Sequence, residues 1–364
     1  MFGLERPEAL FSFHSNPVWN MPGTKDVLQV IRDLDFVVSI DITAVGETTM
    51  LSDVVLADRT FLESWSLYNV EAPFVTGHAL RQPVVEPPAE TMDGTDILSE
   101  LSDRIGILHR WNNALNGRLG LWRDPKLLLD PGKKYFIDQI LDRFAKSLYG
   151  DEQGLDWFKQ NGTSMRLRKP SELYSQHEMR IPFYHDYVKR AGDELKENMT
   201  KAGQEWMKNW KFDEYQPLPE WRPGLTYEEE PTEYDLVAGF FKTPISTFED
   251  LANIPWVVEV AGNRPDVTYV WINSETRRRK GIKNGDRIRI TSKYSSVEGV
   301  AWLTEGVHPE AVMMSQAGRP HIKSRYKIST APMFNELVRA DLSNIDPISG
   351  AYETEVRVKV EAIR

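Results

Sequence analysis

"KGIKNGDRIRITSKYSS", residues 280–296, is the stretch whose reading decides the fold. Just upstream, Ser274 is placed to cap a short helix, Arg277 to Lys280 gather at its C-terminal dipole end, and Gly281 offers the left-handed stop. Asn284-Gly285 is then a tight-turn pair. From there Ile288 and Ile290 fall on one side of a strand and Arg287, Arg289 and Thr291 on the other, so the strand is half buried. Asp286 at the turn can accept backbone N–H bonds and fix the start of the strand, a structural role that needs no chemistry.

Working outward, short apolar segments surround this corner: "YDLVAGFF", "TYVWIN", "VEGVAWLT", "AVMMSQA" and the final "EVRVKVEAI". Several strands at short spacing with few helices between them predict a barrel or sandwich. Upstream, "YQPLPEWRPGLTYEEEPTEYD" holds four prolines and an acidic run and reads as an interdomain strap, which sets a boundary near residue 230. The N-terminal part alternates differently. A strand in "ALFSFHSN", a helix in "TKDVLQVIRDLD", a strand in "FVVSIDI", a helical "GETTMLS" and a strand in "DVVLAD" predict a βαβ pattern with a parallel sheet. "RQPVVEPPAE" is an extended connector, "GTDILSELSDRIGIL" a helix, and a Trp- and Tyr-rich helical stretch continues to about residue 205. The domains expected are 1–110, a partial α/β domain; 111–230, helices and strap; and 231–364, the β-domain.

Length and composition bound the function. With 364 residues and 41% hydrophobic content, the chain can bury a core in two domains. Its formal charge of -10 disfavours nucleic acid and anionic lipid as bulk partners. No cysteine is present, which excludes disulfides, Cys-ligated zinc and iron–sulfur ligation by these residues. No run reaches the length of a membrane span, and the first residues lack the pattern of a secretory signal. No P-loop, Gly-rich dinucleotide fingerprint or Ser/His/Asp order occurs. The seven histidines show no metal-ligand spacing, with His177 and His185 isolated, and the "RRRK" at 277–280 reads as a solvated helix face.

"VWINSETRRRKGIKNGDRIRITSKYSSVEGVAWLTEGVHPEAVMM" resembles the C-terminal domain of the molybdopterin oxidoreductases of the dimethyl sulfoxide reductase superfamily. The likeness extends over nearly the whole chain. "FHSNPVWNMPG" is similar to the family's strand-end Asn-Pro segment, and "FVVSIDITAVGETTMLSDVVLADRTFLES" to its strand, Asp and helix signature, with Ala57 where the family usually has proline. "FKTPISTFEDLANIPW" and "FNELVRADLSNIDPISGAYETEVRVKV" resemble its cofactor-facing loop and closing segment. The interdomain stretches look most like the polysulfide, thiosulfate, tetrathionate or arsenate reductase branch. The fold so implied is α/β, with a partial doubly wound parallel sheet followed by a six-stranded double-psi β-barrel.

Candidate site residues follow partly from position and partly from the resemblance. Ligands of open α/β sheets bind beyond the carboxyl ends of the strands, where Ser15, Asn16 and Asp41 stand. Asp41 is equally satisfied as a cap of the following loop; the resemblance assigns it to the cofactor's guanosine. Lys242, Thr243, Ser246 and Thr247 are carried over as contacts along the pterin and phosphates, and lysine and hydroxyls suit a pyrophosphate. Many relatives have histidine at the position of Ser246. Asn253 and Asn335 match family asparagines that face the heterocycles, and Glu353 stands where relatives often have Lys or Asn. For each asparagine, a loop-bracing role is the alternative.

The resemblance implies part of a molybdenum oxidoreductase catalytic subunit that binds bis(molybdopterin guanine dinucleotide). It would serve oxygen-atom, sulfur-atom or electron transfer, with the molybdenum ligand and any iron–sulfur cluster outside this chain. The partners implied are an N-terminal half of the subunit, an iron–sulfur electron-transfer subunit and a membrane anchor subunit, with no insertion of this chain itself. A periplasmic or extracytoplasmic location is compatible with it. The alternatives are a non-catalytic split subunit or remnant that holds cofactor, and a double-psi barrel adaptor, because fold does not fix function.

Overall fold

The run "ALFSF" forms strand β1 (Ala9–Phe13), in which Leu10 and Ser12 turn inward and Phe11 and Phe13 outward. The computed structural model describes residues 7–43, 45–173, 184–203, 210–218, 220–228, 232–245, 251, 254–316 and 331–363. After β1, the helix Thr24–Arg32 buries Ile31 against Val18 and Val37. Strands β2 (Phe36–Asp41) and β3 (Val54–Ala57) complete a sheet in the order β1-β2-β3. The bonds from Asp53 N to Val37 O (2.8 Å) and from Asp58 N to Asp41 O (3.0 Å) climb both strands in one direction, so the pairing is parallel, as the alternation predicts.

Two expectations for the N-terminal and middle segments need correction. "GETTMLS" forms only the 3-10 turn Thr49–Leu51. Thr48 gives both its N–H (3.1 Å) and its hydroxyl (2.8 Å) to Asn16 Oδ1, the kind of side-chain competition that shortens helices. The middle is not wholly helical either. Strands β4 (Ser66–Ala72), β5 (Val75–Arg81) and β6 (Thr163–Leu167) form an antiparallel sheet. Its Leu67 packs with Leu141, Ala145, Leu155 and Phe158 of the helices Ile137–Tyr149 and Leu155–Asn161.

The six strands expected downstream are β7 (Leu236–Phe241), β8 (Val270–Ile272), β9 (Arg287–Ser292), β10 (Ser296–Leu303), β11 (Ala311–Ser315) and β12 (Val356–Ala362). They close into a barrel ordered β10-β8-β11-β7-β12-β9. Two pairs are parallel, β7 with β11 and β8 with β10, and the other four are antiparallel. This mixed, crossed-over closure is the double-psi barrel. Its interior is aliphatic, with Leu236, Ile272, Ile288, Ile290 and Val358 fully buried.

Around the opening stretch the local reading holds with one change. Asn273, not Ser274, caps the helix Ser274–Lys280 by accepting from Glu275 N at 2.8 Å. Gly281 ends it at φ 67°, and Asp286 accepts from Lys283 N at 2.7 Å. Arg287 and Arg289 point outward and pair with Glu298 at 2.9 and 2.8 Å.

The chain divides into two compact units, one comprising Met1–Ser39, Thr43–Val54 and Pro182–Arg364 and the other Ile40–Ile42 and Val55–Ile181. The barrel therefore shares a unit with most of the first strand–helix–strand segment.

Candidate functional site

Parallel pairing of β7 with β11 brings their carboxyl ends to the same rim of the barrel. Gln316, the residue after β11, donates its N–H to Phe241 O at 3.0 Å. Phe240, Phe334, Asn335 and Tyr352 join it there with Trp19, from the short helix Pro17–Asn20 after β1, around a pocket of about 240 Å³. The rings of Phe240 and Phe334 stand 5.2 Å apart.

Asn335 ties the barrel loop to the β1 loop. Its Nδ2 donates to Trp19 O, and its carbonyl accepts from Gly23 N, both at 2.9 Å. Gly23 is required at this close approach: its φ is 71°, and a Cβ there would lie 2.8 Å from Ala340 N. Because the amide nitrogen is committed to a carbonyl, Oδ1 is the end left without a partner among the described residues. Gln316 Oε1 is likewise shielded and without a hydrogen bond among the described residues. An acceptor left so costs about 1–3 kcal/mol.

Tyr352 also lines a second groove of about 820 Å³, walled by residues from 211–218 and 220–224, the start of the helix Asp186–Lys201 and loop 344–353. Most charges there are already spent. Arg222 pairs with Glu214 at 3.0 Å and Glu220 at 3.9 Å. Asp346 accepts from Ser349 N (2.6 Å) and Ile348 N (3.0 Å), and the Ser349 N–H chiefly holds its carboxyl below the usual range. Glu353 Oε1 has no partner among the described residues and lies against Gly224, where a Cβ would come within 2.3 Å of it.

The residues singled out in the sequence are distributed as follows. Asn335 lines the smaller pocket and Glu353 the larger groove. Lys242, exposed, and Thr243, buried, come directly after β7, whose Phe240 is in the pocket wall. Ser15 is exposed, and its carbonyl accepts from Ser12 Oγ at 2.8 Å. Asn16 is 4% exposed, donates to Glu47 Oε2 at 2.6 Å and accepts twice from Thr48, so its amide braces the loop. Asp41 ends β2, half buried, in the other unit. Ser246, Thr247, Asn253 and His177 lie outside the described residues. In the "RRRK" run, Lys280 and Arg279 pair with Asp235 at 2.6 and 3.8 Å, as a structural face would.

Gln316 was not foreseen. Its place depends on the parallel pairing of β11 with β7, which the strand pattern in the sequence does not reveal. Two acceptors among aromatic walls fit a flat nitrogen heterocycle that brings N–H donors, which is what a pterin or guanine offers.

The family profile for the molydopterin dinucleotide binding domain matches residues 252–356, and the profile for molybdopterin oxidoreductase matches residues 1–104. Residues 1–104 thus match the molybdopterin oxidoreductases, and residues 252–356 match the dinucleotide-binding domain. A curated relative, the thiosulfate reductase molybdopterin-containing subunit PhsA of Salmonella typhimurium, is 24% identical over 322 residues, which are 82% of this chain and 36% of that protein. The solved structure of acetylene hydratase from Pelobacter acetylenicus shares the fold over 98% of this chain and 44% of its own, with a TM-score of 0.63 at 16% identity. The chain thus spans less than half the length of either relative.

Proposed function

We propose that this chain forms part of the catalytic subunit of a molybdenum oxidoreductase and holds bis(molybdopterin guanine dinucleotide). The reading is carried by the pocket at the β7 and β11 strand ends, where aromatic walls surround two uncommitted amide acceptors. The group, when bound, supplies a metal centre for oxygen-atom, sulfur-atom or electron transfer.

In this account the chain's residues bind and orient. Asn335 and Gln316 offer acceptors to a heterocycle, with Trp19, Phe240, Phe334 and Tyr352 covering its faces and excluding water. Lys242 and Thr243, next along the chain from β7, suit the pyrophosphate through a cation and a hydroxyl. Glu353 adds a carboxylate in the adjoining groove. An iron–sulfur subunit would exchange electrons with such a centre. The likeness to a thiosulfate reductase subunit favours a sulfur oxyanion as substrate.

The test is composition. The chain is produced together with the remainder of its subunit in molybdenum-sufficient cells, and the complex is assayed for metal and for nucleotide released by acid. Molybdenum equimolar with the chain, and twice that amount of guanosine monophosphate, is the expected result. A folded complex free of both overturns the reading.

A further inference from the structure

Tyr352 is a wall of both cavities, and its place is fixed from the groove side. It belongs to the hairpin 344–353, in which Glu353 N donates to Asn344 O at 2.7 Å and Asp346 N to Ala351 O at 2.8 Å, with Ile345 bridged to Tyr352 between them. The Asp346 carboxylate closes the tip by accepting from Ile348 N, Ser349 N and the Ser349 hydroxyl. Bonded internally in this way, the hairpin tilts as one piece, and a hold at its tip is felt at Tyr352.

Tyr215 supplies that hold. Its hydroxyl donates to Pro347 O at 2.9 Å and accepts from Trp210 Nε1 at 3.2 Å, so both partners fix its direction. From the other side the ring rests on the helix Asp186–Lys201. Gly192 stands in the interior of that helix, where glycine costs helix stability, and a Cβ on it would come within 2.5 Å of Tyr215 Cγ. The strap is pinned a second time at Thr226, whose hydroxyl donates to Glu355 Oε2 at 3.1 Å and whose carbonyl accepts from Arg357 Nε at 3.2 Å. That pin grips residues past the hairpin, where β12 begins.

We infer that Tyr215 is a positioning residue: by gripping Pro347 it sets the tilt of the 344–353 hairpin, and through it the place of the Tyr352 ring in the wall of the smaller pocket. The inference rests on the reading of that pocket as part of the cofactor site. It adds a control exerted from outside, by a residue that lines neither cavity.

The experiment places 3-fluorotyrosine at position 352 alone in the full chain and compares its fluorine NMR line among the wild type, Tyr215→Phe, Gly192→Ala and Thr226→Val. Tyr215→Phe keeps the ring and removes the donor, whereas Gly192→Ala keeps the donor and displaces the ring. Both should move or split the line. Thr226→Val loses a comparable hydrogen bond at the other pin; it should lower the melting temperature as Tyr215→Phe does and leave the line where it is. In the assembled, loaded complex, Tyr215→Phe should release nucleotide about tenfold faster than the wild type, and Thr226→Val at the wild-type rate. The inference is overturned by an unmoved line in a cooperatively melting Tyr215→Phe or Gly192→Ala chain, by an equal movement in Thr226→Val, or by unchanged release from Tyr215→Phe. A wild-type complex that carries no cofactor defeats the reading of the pocket instead, and the fluorine comparison then decides the positioning by itself.

Discussion

Asn16 and Asn335 show how one residue type at similar positions divides between bracing and binding. The Asn16 amide spends both ends inside the protein, on Glu47 and Thr48, at 4% exposure. Asn335 spends only its nitrogen. Sequence position alone could not separate them, since both follow a strand or precede a turn and the distinguishing partner of Asn16 lies more than thirty residues away. Asn16→Ala should therefore act on stability, lowering the unfolding free energy by about 1–3 kcal/mol in urea denaturation. Asp96 makes the second residue-scale prediction. Burial pushes its carboxyl up to about 6, nearby Asp93 adds to the rise, and the Ile137 N–H bond opposes it. Between 3.8 and about 6 the folded protein holds a proton that the unfolded chain gives up. The stability due to the neutral carboxyl is thus full below 3.8 and lost as pH rises through about 6. Melting temperature should fall over that window in the wild type, and Asp96→Asn should flatten the slope.

The barrel was legible element by element because each of its strands carries its own signal. Ile288 and Ile290 alternate with arginines, and the preceding Gly285 sits at φ 85°, which fixes the turn before any partner strand is known. Nothing lies within 4 Å of a Cβ placed on Gly285, so Gly285→Ala tests conformation alone. It should cost about 1–2 kcal/mol, measured by chemical denaturation, with the barrel otherwise intact. The β4–β5–β6 sheet was illegible for the opposite reason. Its "SLYNVEA" and "VTGHALR" strands mix polar and apolar residues without clean alternation, the turn between them is Pro73-Phe74 rather than Asn-Gly, and β6 lies far along the chain. The site divides the same way: Asn335 was found by its family position, whereas Gln316 emerges only when parallel β7 and β11 put both strand ends on one rim.

At the scale of the molecule, most of the first strand–helix–strand segment shares one unit with the barrel, and within it the stretch after β1 reaches Asn335 through Trp19 and Gly23. Two family profiles fall at the two ends of the chain, and the pocket draws residues from both, with Trp19 inside 1–104 and Asn335 inside 252–356. Such a pocket needs the long-range contact to exist, so it is a property of the folded unit rather than of either motif. The decisive measurement is an experimental structure of the assembled, cofactor-loaded protein. The account predicts heterocycle density between the Phe240 and Tyr352 rings, within hydrogen-bond reach of Gln316 and Asn335. Cofactor density elsewhere, with that pocket holding only solvent, would contradict it.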